Sequence, residues 1–139
     1  MASTIHVDIV SAEAEIFSGE AEMLIASAEM GDVGIAPGHA PFISRIRPGE
    51  VTIRLAGQSD ELIYVSGGVL EVQPHVVTVL ADTAVRAADL DEAEAIRAKE
   101  RAEELLQDRQ ADIEYAEAQA ELAEAVAQLQ VIHKRKRRG

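Results

Sequence analysis

The 139-residue chain has no cysteine and no tryptophan, and only two tyrosines and two phenylalanines. Without thiols it can build neither a disulfide framework nor a thiolate metal site. With so few aromatic rings it lacks the stacking platforms by which proteins hold single-stranded nucleic acid. Basic residues are scarce as well: 13 Lys and Arg stand against 25 Asp and Glu, a formal net charge of -12. Affinity for nucleic acid comes largely from cations that neutralise phosphates, so this balance points away from that class of partner. Long apolar runs are also missing. No window approaches the ~18 apolar residues of a membrane span. The start, Met1-Ala2-Ser3-Thr4-Ile5-His6, lacks the charged and apolar regions of a secretory signal, so a cytosolic chain is expected. What is abundant is small and aliphatic: hydrophobic residues make up 47% and aromatics 3%, which leaves the core to Val, Ile, Leu and Ala.

Gly and Pro divide the chain in two. Eight of nine glycines lie at or before Gly68 and all four prolines at or before Pro74, after which nothing breaks the backbone until Gly139. Such a shift in composition marks a domain boundary. In the first half Ile5, Val7 and Ile9 alternate with His6 and Asp8, and Val51, Ile53 and Leu55 alternate with Thr52 and Arg54. A period of two means half-buried strands. Further short apolar runs are separated by turn signals at Ser18-Gly19, Pro48-Gly49, Ala56-Gly57 and Gly67-Gly68, the spacing of an antiparallel β-sandwich.

From Ala87 to His133 the grammar changes: 13 of 47 residues are Ala, and apolar positions recur at helical intervals. Asp89 with Glu92 three residues on reads as a helix start of the capping-box kind. A periodic segment of this length is either one helix reaching about 66 Å or a pair folding back near Gln107 to Asp112. The pairs Arg97/Arg101 and Glu100/Glu104 are like-charged at helical spacing and mildly unfavourable. Ala lets helix axes approach closely while burying little area, so docking by these helices should be weak and reversible. Five consecutive bases, Lys134, Arg135, Lys136, Arg137 and Arg138, then reverse the sign of everything before them. Such a block suits an acidic protein surface, an anionic lipid or a nucleic acid, or serves as a solubilising end.

Catalytic patterns are absent. His6, His39, His75 and His133 are far apart and none stands in a metal-ligand pattern, so no metal is expected. The loop Gly31-Asp32-Val33-Gly34-Ile35-Ala36-Pro37-Gly38-His39-Ala40-Pro41-Phe42 lacks the Gly-Lys-Ser/Thr ending of a phosphate cradle, and its glycines and prolines read as a shaped connection. A Ser44/His39/Asp32 nucleophilic arrangement has no spacing signature.

The order of these pieces resembles the epsilon subunit of the bacterial F-type ATP synthase over nearly the whole chain. The residues that carry it are Asp8-Ile9-Val10-Ser11, Phe17-Ser18-Gly19, Gly34 to Pro41, Tyr64-Val65-Ser66-Gly67-Gly68-Val69-Leu70-Glu71-Val72, Gln73-Pro74, Val77 to Ala84 and Leu90-Asp91-Glu92-Ala93. The resemblance implies a two-domain α+β chain, with a β-sandwich over 1–86 and an antiparallel two-helix hairpin with a basic tail over 87–139. It implies a noncatalytic rotor subunit at the cytoplasmic face of the bacterial inner membrane. There the sandwich seats on gamma and the c-ring and couples proton-driven rotation to ATP synthesis. The helices can leave the sandwich, extend along gamma into the head of alpha and beta subunits, and restrain ATP hydrolysis.

Residue by residue, Asp32 matches the family's acidic position facing the c-ring, and His39 a position on the gamma and c-ring side. Lys134 to Arg138 match the basic C-terminal region that engages an acidic loop of the catalytic beta subunits, the reading preferred over nucleic acid. Some members bind ATP through Ile or Leu, Asp, two variable residues and Arg-Ala. Here the positions read Leu90, Asp91, Glu92, Ala93, Glu94 and Ala95, so an acid stands where a phosphate partner belongs and repels a triphosphate. Arg97 or Arg101 is a conceivable substitute one turn on. No cofactor is expected. The Ala-rich hairpin is expected to be bistable, with compact and extended states within a few kcal/mol.

Overall fold

The computed structural model of the chain describes residues 3–108 and 112–138. Nine strands come first: β1 (Ile5–Ser11), β2 (Glu15–Ala21), β3 (Met23–Ala28), β4 (Gly31–Ile35), β5 (Phe42–Arg54), β6 (Glu61–Val65), β7 (Gly68–Val72), β8 (Val76–Ala81) and β9 (Ala84–Arg86). They are short, rich in β-branched residues and alternate in burial; in β1 the side chains of Ile5, Val7 and Ile9 are fully buried.

The strands form one hydrogen-bonded sheet folded over on itself, in the order β2-β1-β8-β7-β5-β3-β4, with β6 and β9 continuing from β5. The fold-over is made by β5. Its first half pairs with β7, from Phe42 opposite Val72 to Ile46 opposite Gly68, and its second half pairs with β6, from Gly49 opposite Val65 to Ile53 opposite Glu61. Between them lies Arg47-Pro48-Gly49, where the ladder to β3 jumps from Ala28/Ile46 to Ala26/Val51. A proline that cannot donate to a ladder is tolerated at such a bulge, and a bulge is how a strand turns the corner of a sandwich. The sandwich is antiparallel apart from one ladder, β1 with β8, which runs parallel from His6/Val76 to Ser11/Ala81. The long crossover that a parallel neighbour requires is supplied by the strands between.

The two layers close on a single core of Ile5, Val7, Ile9, Leu24, Ile35, Val51, Ile53, Ile63, Leu70, Val72, Val77 and Val79 with smaller neighbours. At the start of β7 the chain passes so near β8 that a Cβ on Gly68 would lie 2.1 Å from the Leu80 carbonyl oxygen, and Gly68 has φ of 144°. Only glycine fits both conditions.

A one-turn 3-10 helix, Ala87–Asp89, leads into α1 (Glu92–Asp108) and α2 (Asp112–Arg138). The helix does not start at Asp89 as its spacing to Glu92 implies. Leu90 is held extended, with φ -74° and ψ 135°, while its side chain packs into an apolar cluster, so the helix begins two residues later. The cap is Asp91, whose Oδ1 accepts the Glu94 backbone N–H at 3.1 Å. The turn expected near Gln107 to Asp112 falls largely on residues 109–111, outside the described residues. On either side of it the two helices pack against each other.

Their buried positions are Ala95 and Ala102 on α1, and Ala118, Ala125 and Ile132 on α2. The spacing of seven keeps a seam facing its partner, and Ala allows close approach. The basic block is not a free tail: α2 continues through it to Arg138. Cations in the last turn complement the negative end of the helix dipole.

Candidate functional site

The hairpin seats on the sandwich through α2, which packs against β5, β6 and the 3-10 turn. The seat is a second, small apolar cluster of Leu62 and Tyr64 from β6, Ala87, half-buried Leu90, and Ala127 and Val131 from α2. Thr52, opposite Leu62 in the ladder, shares this covered face and is buried rather than solvent-facing as its alternation implies. Only two α2 residues enter the cluster. A fully buried Val contributes roughly 1.5 kcal/mol and an Ala less, so the apolar hold is of the order of a few kcal/mol.

Polar groups in the seat are incompletely matched. Tyr64 lies opposite Glu50 across the β5/β6 ladder, and both the Tyr64 hydroxyl and Glu50 Oε2 are buried without a hydrogen-bond partner among the described residues. Burial pushes the Tyr64 phenol up to about 12; the charge of Glu124 adds to this, while Gln128 eases it. Each orphan costs about 1–3 kcal/mol. Glu50 Oε1 accepts from Lys134 Nζ, joining the end of α2 to β5.

The remaining tail residues divide between two concavities. Lys136 pairs with Glu92 at the first turn of α1, and His133 Nε2 lies 3.5 Å from the other oxygen of the same carboxylate. The hydrogen bond from Lys136 holds the Glu92 carboxyl below its usual range, against a small opposing effect of burial, with the charges of Lys136 and His133 assisting. Arg137 lines a cavity of about 600 Å³ with Lys134, Asp32, Arg47 and Glu50, between α2 and the corner of β5. Arg135 lines a groove of about 860 Å³ with Ser59, Asp60, Glu61 and Lys136. The side chain of Arg138 lies outside the described residues.

The nucleotide-motif remnant is a helix cap. Asp91 caps α1, and the Glu94 carboxylate takes Arg97 at 3.0 Å and Arg101 at 3.3 Å. These bonds hold its carboxyl below the usual range, Arg97 first. Arg97 and Arg101, a repulsive pair on spacing alone, are therefore bridged by Glu94, the residue standing at the motif's Arg position. Leu90 sits in the seat, and Ala95 is buried in the helix seam.

Asp32 is not in a loop. It belongs to edge strand β4, opposite Ser27, and it shares the α2 cavity with Lys134 and Arg137. His39 is in the connection between β4 and β5, where Gly38 N–H bonds the Pro74 carbonyl. Its Nδ1 bonds the Ala40 carbonyl at 2.8 Å and its ring tilts against Phe42. Ser44 Oγ donates to the Arg45 carbonyl, so Ser44, His39 and Asp32 make no bonds among themselves. The structure thus gathers Asp32 with the tail and leaves His39 apart. Glu50, Tyr64 and Glu92 are the residues of this site that sequence reasoning missed. Their partners lie far along the chain, and Lys134 is 84 positions from Glu50.

Comparison with known proteins places this geometry in a family. The description "ATP synthase, Delta/Epsilon chain, beta-sandwich domain" matches residues 4–87, and "ATP synthase, Delta/Epsilon chain, long alpha-helix domain" matches residues 88–133. The chain is 64% identical over 134 residues to the ATP synthase epsilon chain of Nitrosococcus oceani, covering 96% of both. It is 60% identical to that of Nitrosospira multiformis, again covering 96% of both. Among solved structures, a chain of the Euglena gracilis mitochondrial ATP synthase shares the fold with a TM-score of 0.82 at 18% identity, over 89% of this chain and 78% of that one. One from the central stalk and c-ring of the Tetrahymena thermophila enzyme has a TM-score of 0.66 at 14% identity, over 94% and 97%. With both halves matched end to end and relatives at this identity, the chain belongs to the family of ATP synthase epsilon chains.

Proposed function

We propose that this chain is a noncatalytic central-stalk subunit of the rotary ATP synthase. Its sandwich binds gamma and the c-ring and couples proton-driven rotation to ATP synthesis; its hairpin restrains ATP hydrolysis when it extends into the head of alpha and beta subunits. It is held at the cytoplasmic face of the bacterial inner membrane through the complex alone, and no described helix is long and apolar enough to cross a membrane.

The observation that carries the regulatory part is the seat of α2. A small apolar contact with two orphaned polar atoms is fastened at its end by Lys134 on Glu50, while Lys136 on Glu92 ties the ends of the two helices. The same cations cannot serve this clasp and an acidic loop of a catalytic subunit at once. Docked and extended states therefore compete for Lys134 and Lys136, and a modest bias selects between them.

Nucleotide has no part in this reading. Glu94 presents a carboxylate at the motif position and occupies both nearby arginines. Isothermal titration is expected to show no micromolar binding of ATP, and such binding would sink this point.

The assignment is tested by mixing the full chain with the cognate gamma subunit and with the gamma-bearing catalytic head. Comigration in both supports it; a chain that stays separate at micromolar concentration excludes a stalk role.

A further inference from the structure

The hairpin covers the β5/β6 face, and the outer face of the opposite layer, β2-β1-β8-β7, is left open. Three cross-strand rows organise it. Val10, Leu80 and Val69 form an apolar row; Asp8, Thr78, Glu71 and Ile43 form the next; His6 and Val76 begin the third. Leu80 is 49% exposed and Ile43 68%. Large aliphatic groups shown to solvent beside carboxylates mark an interaction surface.

One charged cluster on this face is built rather than incidental. His6 Nε2 lies 3.0 Å from Asp8 Oδ1 and Nδ1 lies 3.4 Å from Glu20 Oε1, so each ring nitrogen faces a carboxylate. Ser18 Oγ donates to the same Asp8 oxygen at 2.7 Å and lies 3.4 Å from His6 Nε2. The hydrogen bond to Asp8 leads in raising the His6 pKa above 6.5, burial opposes it, and the charge of Asp8 and then Glu20 add to it. The other elements beside His6 bring no competing charge. β8 presents Val76 and Thr78, His75 offers a backbone carbonyl to His6 N–H, and β9 carries Arg86, which is engaged by Glu61 and the Ile16 carbonyl. Arg45, opposite Val69, is three strands away.

We infer that this outer face docks a basic, amphipathic segment of the rotor shaft, and that the proton on His6 sets the strength of that docking. The occupant follows from charge: Asp8, Glu20 and Glu71 surround a single titrating imidazole next to exposed Leu80, Val76 and Ile43. With His6 protonated, Asp8 and Glu20 are neutralised from within. With His6 neutral, two carboxylates turn to the partner, so affinity rises with pH. The inference rests on the stalk reading above, and it adds which face is used and which group tunes it.

The experiment measures binding of the full chain to the cognate gamma subunit between pH 6 and pH 8, for the parent, His6→Gln and Leu80→Lys. The parent is expected to bind about fivefold tighter at pH 8, with the effect shrinking at high salt. His6→Gln is expected to lose this dependence, and Leu80→Lys, which sets a cation on the apolar row, to bind at least tenfold more weakly at both pH values. Equal pH dependence in the parent and His6→Gln overturns the role of His6, and parent-like binding by Leu80→Lys overturns the choice of face. If the parent binds gamma at no pH, the stalk reading itself falls. NMR titration of the His6 ring in the free chain supplies the independent readout: a pKa at or below 6.5 refutes the bracketed geometry.

Discussion

Replacing Tyr64 by Phe removes one oxygen from the seat of α2 and little else. The ring is 1% exposed and packs with Leu62, Ala127 and Val131, and Phe keeps those contacts. The lost hydroxyl is buried with no partner of hydrogen-bond geometry, so the substitution deletes a desolvation cost rather than a bond. That cost is about 1–3 kcal/mol when the hairpin is docked and is absent when the hairpin opens and water reaches Tyr64. Even at the lower figure the open population falls about fivefold. Hydrogen exchange of α2 amides in the full chain, corrected for intrinsic rates, reads this directly: protection across residues 122–132 is expected to rise while that of the β1 and β8 amides stays fixed. Unchanged or reduced protection in Tyr64→Phe would show that the hydroxyl is satisfied when docked and that the seat is not strained by it. Opening of α2 only at the global unfolding free energy in the parent chain would remove the bistable hairpin altogether.

Three other outcomes are expected. Gly68→Ala sets a methyl against the Leu80 carbonyl at a backbone angle that L-residues rarely adopt, and it should cost about 3 kcal/mol or more of sandwich stability, measured by urea denaturation. Lys134→Ala unfastens Glu50 and should raise α2 exchange severalfold, whereas Lys134→Arg should restore most of the protection; no change in Lys134→Ala would remove the clasp. The Glu92 carboxyl has a folded pKa below its ordinary 4.5, so its stabilising contribution is present above that value and is lost as pH falls through the folded pKa. Helix pairing followed by NMR should therefore loosen under acid in the parent, and less so in Lys136→Ala, where the principal partner is gone.

The sandwich was legible because its signals are local. Ile5, Val7 and Ile9 alternate with polar residues, and that alternation is burial. Tertiary contacts overrode local pattern elsewhere. Thr52 reads as solvent-facing until a helix from 75 positions further on covers Leu62 and Tyr64 beside it. Asp89 has the spacing of a cap, yet Leu90 is drawn into the seat, the backbone stays extended there and Asp91 takes the role. Asp32 stands among glycines that suggest a loop, but pairing with Ser27 makes it part of a strand. The basic run is visible in sequence as charge alone. That Lys134 meets Glu50 and Lys136 meets Glu92 depends on the hairpin folding back, which no local pattern encodes. His6 is a similar case: alternation makes it solvent-facing, and only the register of β1 with β2 places Glu20 and Ser18 beside it.

The central claim is that the hairpin and its basic end form a releasable brake. The most direct measurement is ATP hydrolysis by the cognate catalytic head with gamma, with added full-length chain, a chain ending at Ala88, or a chain lacking Lys134 to Arg138. Inhibition by the full chain, with binding but no inhibition by the two shortened chains, is the predicted result. Equal inhibition by the chain ending at Ala88, or binding by all three with no inhibition by any, would contradict it.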